Sequence, residues 1–194
     1  MNKRFRFAGI GLALLAFLFF AGQPVAGKTG VGRPLTVRVF DVGHGDMILV
    51  TTPGGRQALV DCGDAGSRKA RLALGRLPER LDWFFATDAH DDHIGNAGSI
   101  LPRVHTVVDS GHAEATVAQE TLYAAAGQFA AFIIARAGDR FNLGDGVVCD
   151  TLAPGDRLLH GTAADANNNS LLLMLRYRNF RMLLAADIEI DGLD

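Results

Sequence analysis

Short β-rich runs cut by glycine and proline, then helical periodicity alternating with more such runs, constrain this chain more than any other property. Leu35–Phe40 (LTVRVF) alternates and is rich in β-branched residues; Met47–Thr52 (MILVTT) and Gln57–Asp61 (QALVD) follow, the last two joined through Pro53-Gly54-Gly55. Three such runs with tight connections predict an antiparallel meander. Arg68–Leu77 (RKARLALGRL) repeats apolar residues at helical spacing, and Leu81–Thr87 (LDWFFAT) returns to a buried strand. Beyond it the pattern predicts a short helix over His93–Leu101 closed by Pro102, a strand over Val104–Asp109 and a helix over Glu114–Ala126. Further strands fall at Phe132–Ala135, Val147–Leu152, Ser170–Leu175 and Phe180–Ala186, with turns at Leu143–Gly146 and Tyr177–Asn179. No internal repeat interrupts this order, which describes one α/β domain.

With 48% hydrophobic and 21% charged residues in 194, the chain can bury a core, which excludes wholesale disorder, collagen and a disulfide-stapled miniprotein. A formal charge of −2 lacks the basic excess of a protein that lives by phosphate contacts. Residues 1–26 read as a secretory signal peptide: Lys3, Arg4 and Arg6 precede an apolar stretch, Phe7–Phe20, and then small residues up to Val25-Ala26-Gly27. The alternative is an uncleaved membrane anchor, although this apolar stretch is shorter than the ~20 residues of a usual span. Residues 27–34 then form a linker ahead of the domain at 35–194. Without the leader, 16 basic residues face 21 acidic ones, a formal charge of about −5. Export leaves two readings for Cys62 and Cys149, a bridge or two small buried thiols.

Asp88-Ala89-His90-Asp91-Asp92-His93 places three carboxylates and two imidazoles directly after the apolar strand Leu81–Thr87. On an extended segment residues i and i+2 face the same way, so Asp88 and His90 project together; Asp92 and His93 follow in the turn that opens the next helix. Oxygen and imidazole donors gathered at a strand end suit one or two divalent metal ions. The competing reading is a solvated acidic loop with two exposed histidines, and Asp91 reads as a spacer.

Asp88–Gly95 (DAHDDHIG) resembles the HxHxDH motif of the metallo-β-lactamase superfamily. Phe40–Asp46 (FDVGHGD) is similar to the FLDVGQGD that opens the hydrolase domain of ComEC-type competence proteins, and Leu59–Gly63 (LVDCG) resembles LIDGG. Asn167–Leu173 (NNNSLLL) is similar to NDNSLVL, and Leu183–Glu189 (LLAADIE) to LLTGDIE. The resemblance implies a four-layer αββα sandwich, of which this chain holds the N-terminal part. The His-His-Gly-Ser stretch that closes the pattern does not occur here, which keeps a fragment or an inactive relative in view.

The same resemblance implies Asp88, His90, Asp92, His93 and Asp187 as metal ligands for Zn or Mn, with Asp187 the bridging carboxylate. Asp92 is also the catalytic residue that takes or positions a proton. Asp61 would orient a ligand imidazole; Asp46 approaches from a glycine-flanked turn or is simply a turn residue, His112 borders the site or lies on the surface, and Asn167 and Asn169 bond substrate or water or end a loop. His44 stands where the pattern has Gln and reads as a polar turn residue; His105 and His160 read as structural or solvated. The implied activity is that of an exported, periplasmic or extracellular hydrolase using a metal-activated water. It would act on a phosphodiester, single-stranded DNA included, or on a lactone or other small ester. Stable duplex binding is not expected, and membrane contact only through an uncleaved leader.

Overall fold

The computed structural model describes residues 33–193. The signal peptide over 1–26 and most of the linker over 27–34 lie outside the described residues. Among those described, no helix is long and apolar enough to cross a membrane.

Three short strands open the domain: β1 (Thr36–Val39), β2 (Ile48–Thr51) and β3 (Gln57–Val60), paired antiparallel as the meander predicts. Helix α1 (Arg68–Leu74), capped by the Ser67 hydroxyl on the Ala70 N–H, carries the chain back so that β4 (Leu81–Ala86) pairs parallel to β3. β5 (Val104–Asp109) and β6 (Ala131–Ile134) extend the parallel side, giving a six-stranded sheet in sequence order. A second sheet, all antiparallel, has the order β10–β9–β8–β7: β7 (Arg140–Gly144), β8 (Val147–Ala153), β9 (Leu172–Tyr177) and β10 (Phe180–Leu184).

Period-two alternation decides which sides are filled. Leu49, Leu59, Phe84 and Val107 face a core shared with the helices, while Val50, Val60, Phe85 and Val108 face the second sheet. Trp83, Phe85 and Phe141 meet there with ring centroids 5.5 to 6.2 Å apart. Truncating Phe85 to Ala would cost about 3–5 kcal/mol. The first sheet is therefore covered on both sides. The outer side of the second sheet carries Asp150 between Arg140 and Arg176, and the exposed Leu183. The helices pack on the first sheet's side, so the described layers are helix, sheet and sheet.

Three expectations are adjusted. The helix over His93–Leu101 is broken into α2 (Asp91–Ile94) and α3 (Ala97–Ile100), because Asn96 turns aside to donate to the carbonyls of Cys62 and Gly63. Helix α4 (Val117–Phe129) starts later than Glu114, at the Thr116 cap, whose hydroxyl accepts from Gln119 N and donates to Ala89 O. Strand β7 and the short α5 (Asp165–Asn168) were not evident in the pattern. Cys62 and Cys149 are free, buried in different cores.

Candidate metal centre

The parallel strands β4 and β5 end side by side at Ala86 and Asp109, and the acidic motif leaves from that edge. Open α/β sheets bind ligands outside the carboxyl ends of their strands. Asp88, buried at this edge, turns its carboxylate onto its own loop. Oδ1 accepts from the His90 N–H at 2.8 Å and lies 2.5 Å from His90 Nδ1; Oδ2 accepts from the Ser170 hydroxyl at 2.8 Å. Ser170 belongs to the NNNS stretch, and Leu171 N also donates to Thr87 O, so that stretch fastens β9 to the end of β4.

His93 is completely buried, against the reading of two exposed histidines, while His90 is half-exposed. Its Nδ1 lies 2.8 Å from Asp61 Oδ2, and Asp61 in turn accepts from the Thr87 N–H and hydroxyl. This fixes the ring so that Nε2 points away, with no hydrogen-bond partner. Facing that nitrogen are Asp187 Oδ1 at 3.5 Å and Asp92 Oδ2 at 3.8 Å. Among the described residues, ligand atoms within 4.8 Å of one another form two groups, Asp92–His93–Asp187 and Asp46–Asp61–His93. Asp88, His90 and His112 fall in neither. Backbone strain borders the cluster: Asp61 (φ 55°) and Ala186 (φ 49°) are both left-handed.

Burial pulls the His93 pKa down, but the Asp61 hydrogen bond and the charges of Asp61, Asp88 and Asp92 outweigh it and raise the value to about 10. The carboxylates thus demand a positive charge at this imidazole. A divalent cation can supply it in place of the proton, and the orphaned Nε2 beside two carboxylate oxygens fits such an ion. Residues that can hold it are His93, Asp92 and Asp187.

The remaining candidates frame the site. His112 is buried, with Nε2 3.3 Å from Glu114 Oε2 and Nδ1 3.3 Å from Asn169 Nδ2. Asn169 spends its amide on the Leu159 N–H and on the Leu159 and Asp165 carbonyls, so it clamps a loop. Asn167 donates to Glu189 at 3.1 Å, tying the loop before β9 to the one after β10. A cavity of about 320 Å³ opens beside His90, bounded by Glu114, Asp165, Asn167 and three alanines. A larger one, about 1050 Å³, includes Asp145 and Tyr177, but its lining holds none of the grouped ligands. Ser170 and Thr87 were not legible as partners of the motif, although Ser170 lies in the NNNSLLL stretch. Nor was His44, whose Nε2 lies 3.2 Å from Asp92 Oδ2. His105 and His160 are exposed.

A buried imidazole backed by a carboxylate, at the edge of a two-sheet α/β sandwich, agrees with the family comparison. A family model for the metallo-beta-lactamase superfamily matches residues 40–192, and the chain belongs to that superfamily. Its members are mostly metal-dependent hydrolases, and they usually bind divalent metal ions. Among solved structures, Zn(2+)-bound PqqB from Methylobacterium extorquens is similar over 71% of this chain and 51% of its own, with 13% identity and a TM-score of 0.52. That likeness concerns the fold, and this chain spans about half the length of PqqB. The flavodiiron core of Flv1 from Synechocystis sp. PCC6803 is similar over 68% of this chain and 30% of its own, with 13% identity and a TM-score of 0.43. None of the curated proteins matches this sequence.

Proposed function

We propose that this chain is an exported metal-dependent hydrolase that cleaves phosphodiester bonds, single-stranded DNA among them, with His93, Asp92 and Asp187 holding Zn or Mn. One observation carries the reading: the orphaned His93 Nε2 facing two carboxylate oxygens. Two oxygens to one nitrogen make a hard donor set, which suits Mn as well as Zn and the oxygen chemistry of phosphate esters. The resemblance to ComEC-type hydrolase domains supports the same substrate class, and the leader supports export. Asp88 and His90 remain candidates for a second ion; Asp88 would first have to give up Ser170.

A divalent ion bound there supplies an acidified water and polarises the scissile group. The chain's own residues do the rest. Asp61 holds the His93 ring in one orientation, and Asp92, open to the cleft, accepts the proton of the attacking water. The cavity beside His90 receives the remainder of the substrate, with Asn167, Glu114 and Asp165 as its polar lining. The acidic balance disfavours stable duplex binding.

A lactone or other neutral ester is the second reading, favoured because that cavity is lined by no lysine or arginine. A metal- or substrate-binding module without turnover is the third, favoured by the engaged Asp88. The test is hydrolysis of single-stranded DNA, a model phosphodiester and a lactone by the Mn- and Zn-loaded chain beside His93→Ala. Phosphodiester cleavage lost at least ~100-fold in the variant is expected. Lactone cleavage alone selects the second reading, and bound metal without turnover the third.

A further inference from the structure

We propose that His44 is a positioning residue for Asp92, holding that carboxylate toward the metal site; the proposal rests on Asp92 being a ligand there. Among the described residues, His44 and His93 are the side chains within ion-pair distance of Asp92. Both approach the same oxygen, Oδ2, at 3.2 and 3.8 Å. His93 is already committed to Asp61 through Nδ1, so its placement is set from below. His44 meets Asp92 from the solvent side and is itself 90% exposed, with no other acid of the described residues within ion-pair distance.

An exposed imidazole is held by its side chain only weakly, and here the backbone supplies the order. Gly43 (φ 91°) and Gly45 (φ 81°) flank His44 in left-handed conformations. A Cβ on Gly45 would lie 1.9 Å from the main-chain oxygen of Asp92, so the turn is pressed directly onto the motif. The entry to the turn is tied as well: the Ser67 hydroxyl donates to Val42 O at 2.6 Å, and Lys69 pairs with Asp41. The FDVGHGD stretch therefore delivers His44 to Asp92 along a fixed path. Among the described residues the Asp92 carboxylate makes no side-chain hydrogen bond, so His44 at 3.2 Å is the nearest group that can steer it. Loss of such an outer partner typically weakens metal binding 10- to 100-fold.

The test titrates Co2+ into the full chain and into His44→Ala and His44→Gln, reading affinity and the visible absorption of the bound ion. His44→Ala is expected to bind about 10-fold more weakly with a shifted spectrum, while the melting temperature of the metal-free protein stays put. His44→Gln, whose amide N–H can reach the same oxygen, is expected to restore the native spectrum and most of the affinity. A His44→Ala titration and spectrum that superimpose on the wild type overturn the proposal, as does a Gln variant no better than Ala. A wild-type chain that takes up no Co2+ overturns the ligand reading of Asp92 itself, and the positioning role with it.

Discussion

Asp61 and Asp145 sit at opposite ends of β3, each with φ 55°, each accepting from a threonine hydroxyl and a backbone N–H. Local hydrogen bonding is the same, yet their roles part. Asp145 is exposed; it takes the Thr52 hydroxyl and the Gly54 N–H, both at 2.6 Å, and so clasps the β2–β3 turn to the β7–β8 turn, joining the two sheets. Asp61 is fully buried and has a third partner, His93, whose far nitrogen is left open. What sets Asp61 apart from the clasp is its low-dielectric setting and the unspent atom beyond its partner.

Removing each carboxylate separates the two roles. Asp61→Ala leaves a buried imidazole and threonine without their acceptor, and a loss of about 3–5 kcal/mol in urea unfolding is expected, with metal affinity lowered in parallel. Asp145→Ala should lower stability less and leave metal affinity unchanged. Equal losses of affinity from the two variants would erase the contrast.

Proton coupling is the next largest effect. His93 must shed its proton to bind an ion, and its pKa is raised to about 10, so the apparent metal affinity should climb about tenfold per pH unit below that value. Calorimetry at pH 7 in two buffers of different ionisation enthalpy should show about one proton released per ion. At the clasp the pKa is shifted the other way. Thr52 and then Gly54 hold the Asp145 carboxyl below its ordinary value of 3.8. Its stabilisation is present above 3.8 and is lost as the pH falls through the lowered folded value. Asp145→Ala should accordingly remove part of the fall in melting temperature between pH 7 and pH 3.

The smallest effect concerns Ala186, the residue before Asp187. It occupies the place of glycine in the LLTGDIE pattern and pays for a left-handed φ of 49°. Ala186→Gly should raise stability by about 1 kcal/mol in the same unfolding assay.

Strands with strong alternation were legible in the sequence: β5 matches its expected span residue for residue, and β2, β3 and β4 differ only at their ends. Strand β7 was hidden because only Phe141 and Leu143 are buried in it, flanked by Arg140, Asn142 and a glycine turn. The break between α2 and α3 depends on Asn96 reaching carbonyls more than thirty residues away, which no local pattern records. In the site, the motif offered Asp92, His93 and Asp187 as candidate ligands, and the structure brings donor atoms of Asp92, His93 and Asp187, and of Asp46, Asp61 and His93, within 4.8 Å of one another. The engagement of Asp88 by Ser170, 82 residues away, and the approach of His44 are tertiary contacts that spacing alone could not reveal.

Whether the His93 cluster binds a metal ion is decided by the metal content of the purified chain. After loading with Zn2+ or Mn2+ and gel filtration, elemental analysis should find at least one ion per chain in the wild type and none in His93→Ala. A wild type free of metal, or a His93→Ala variant that retains as much, would show that His93 holds no ion.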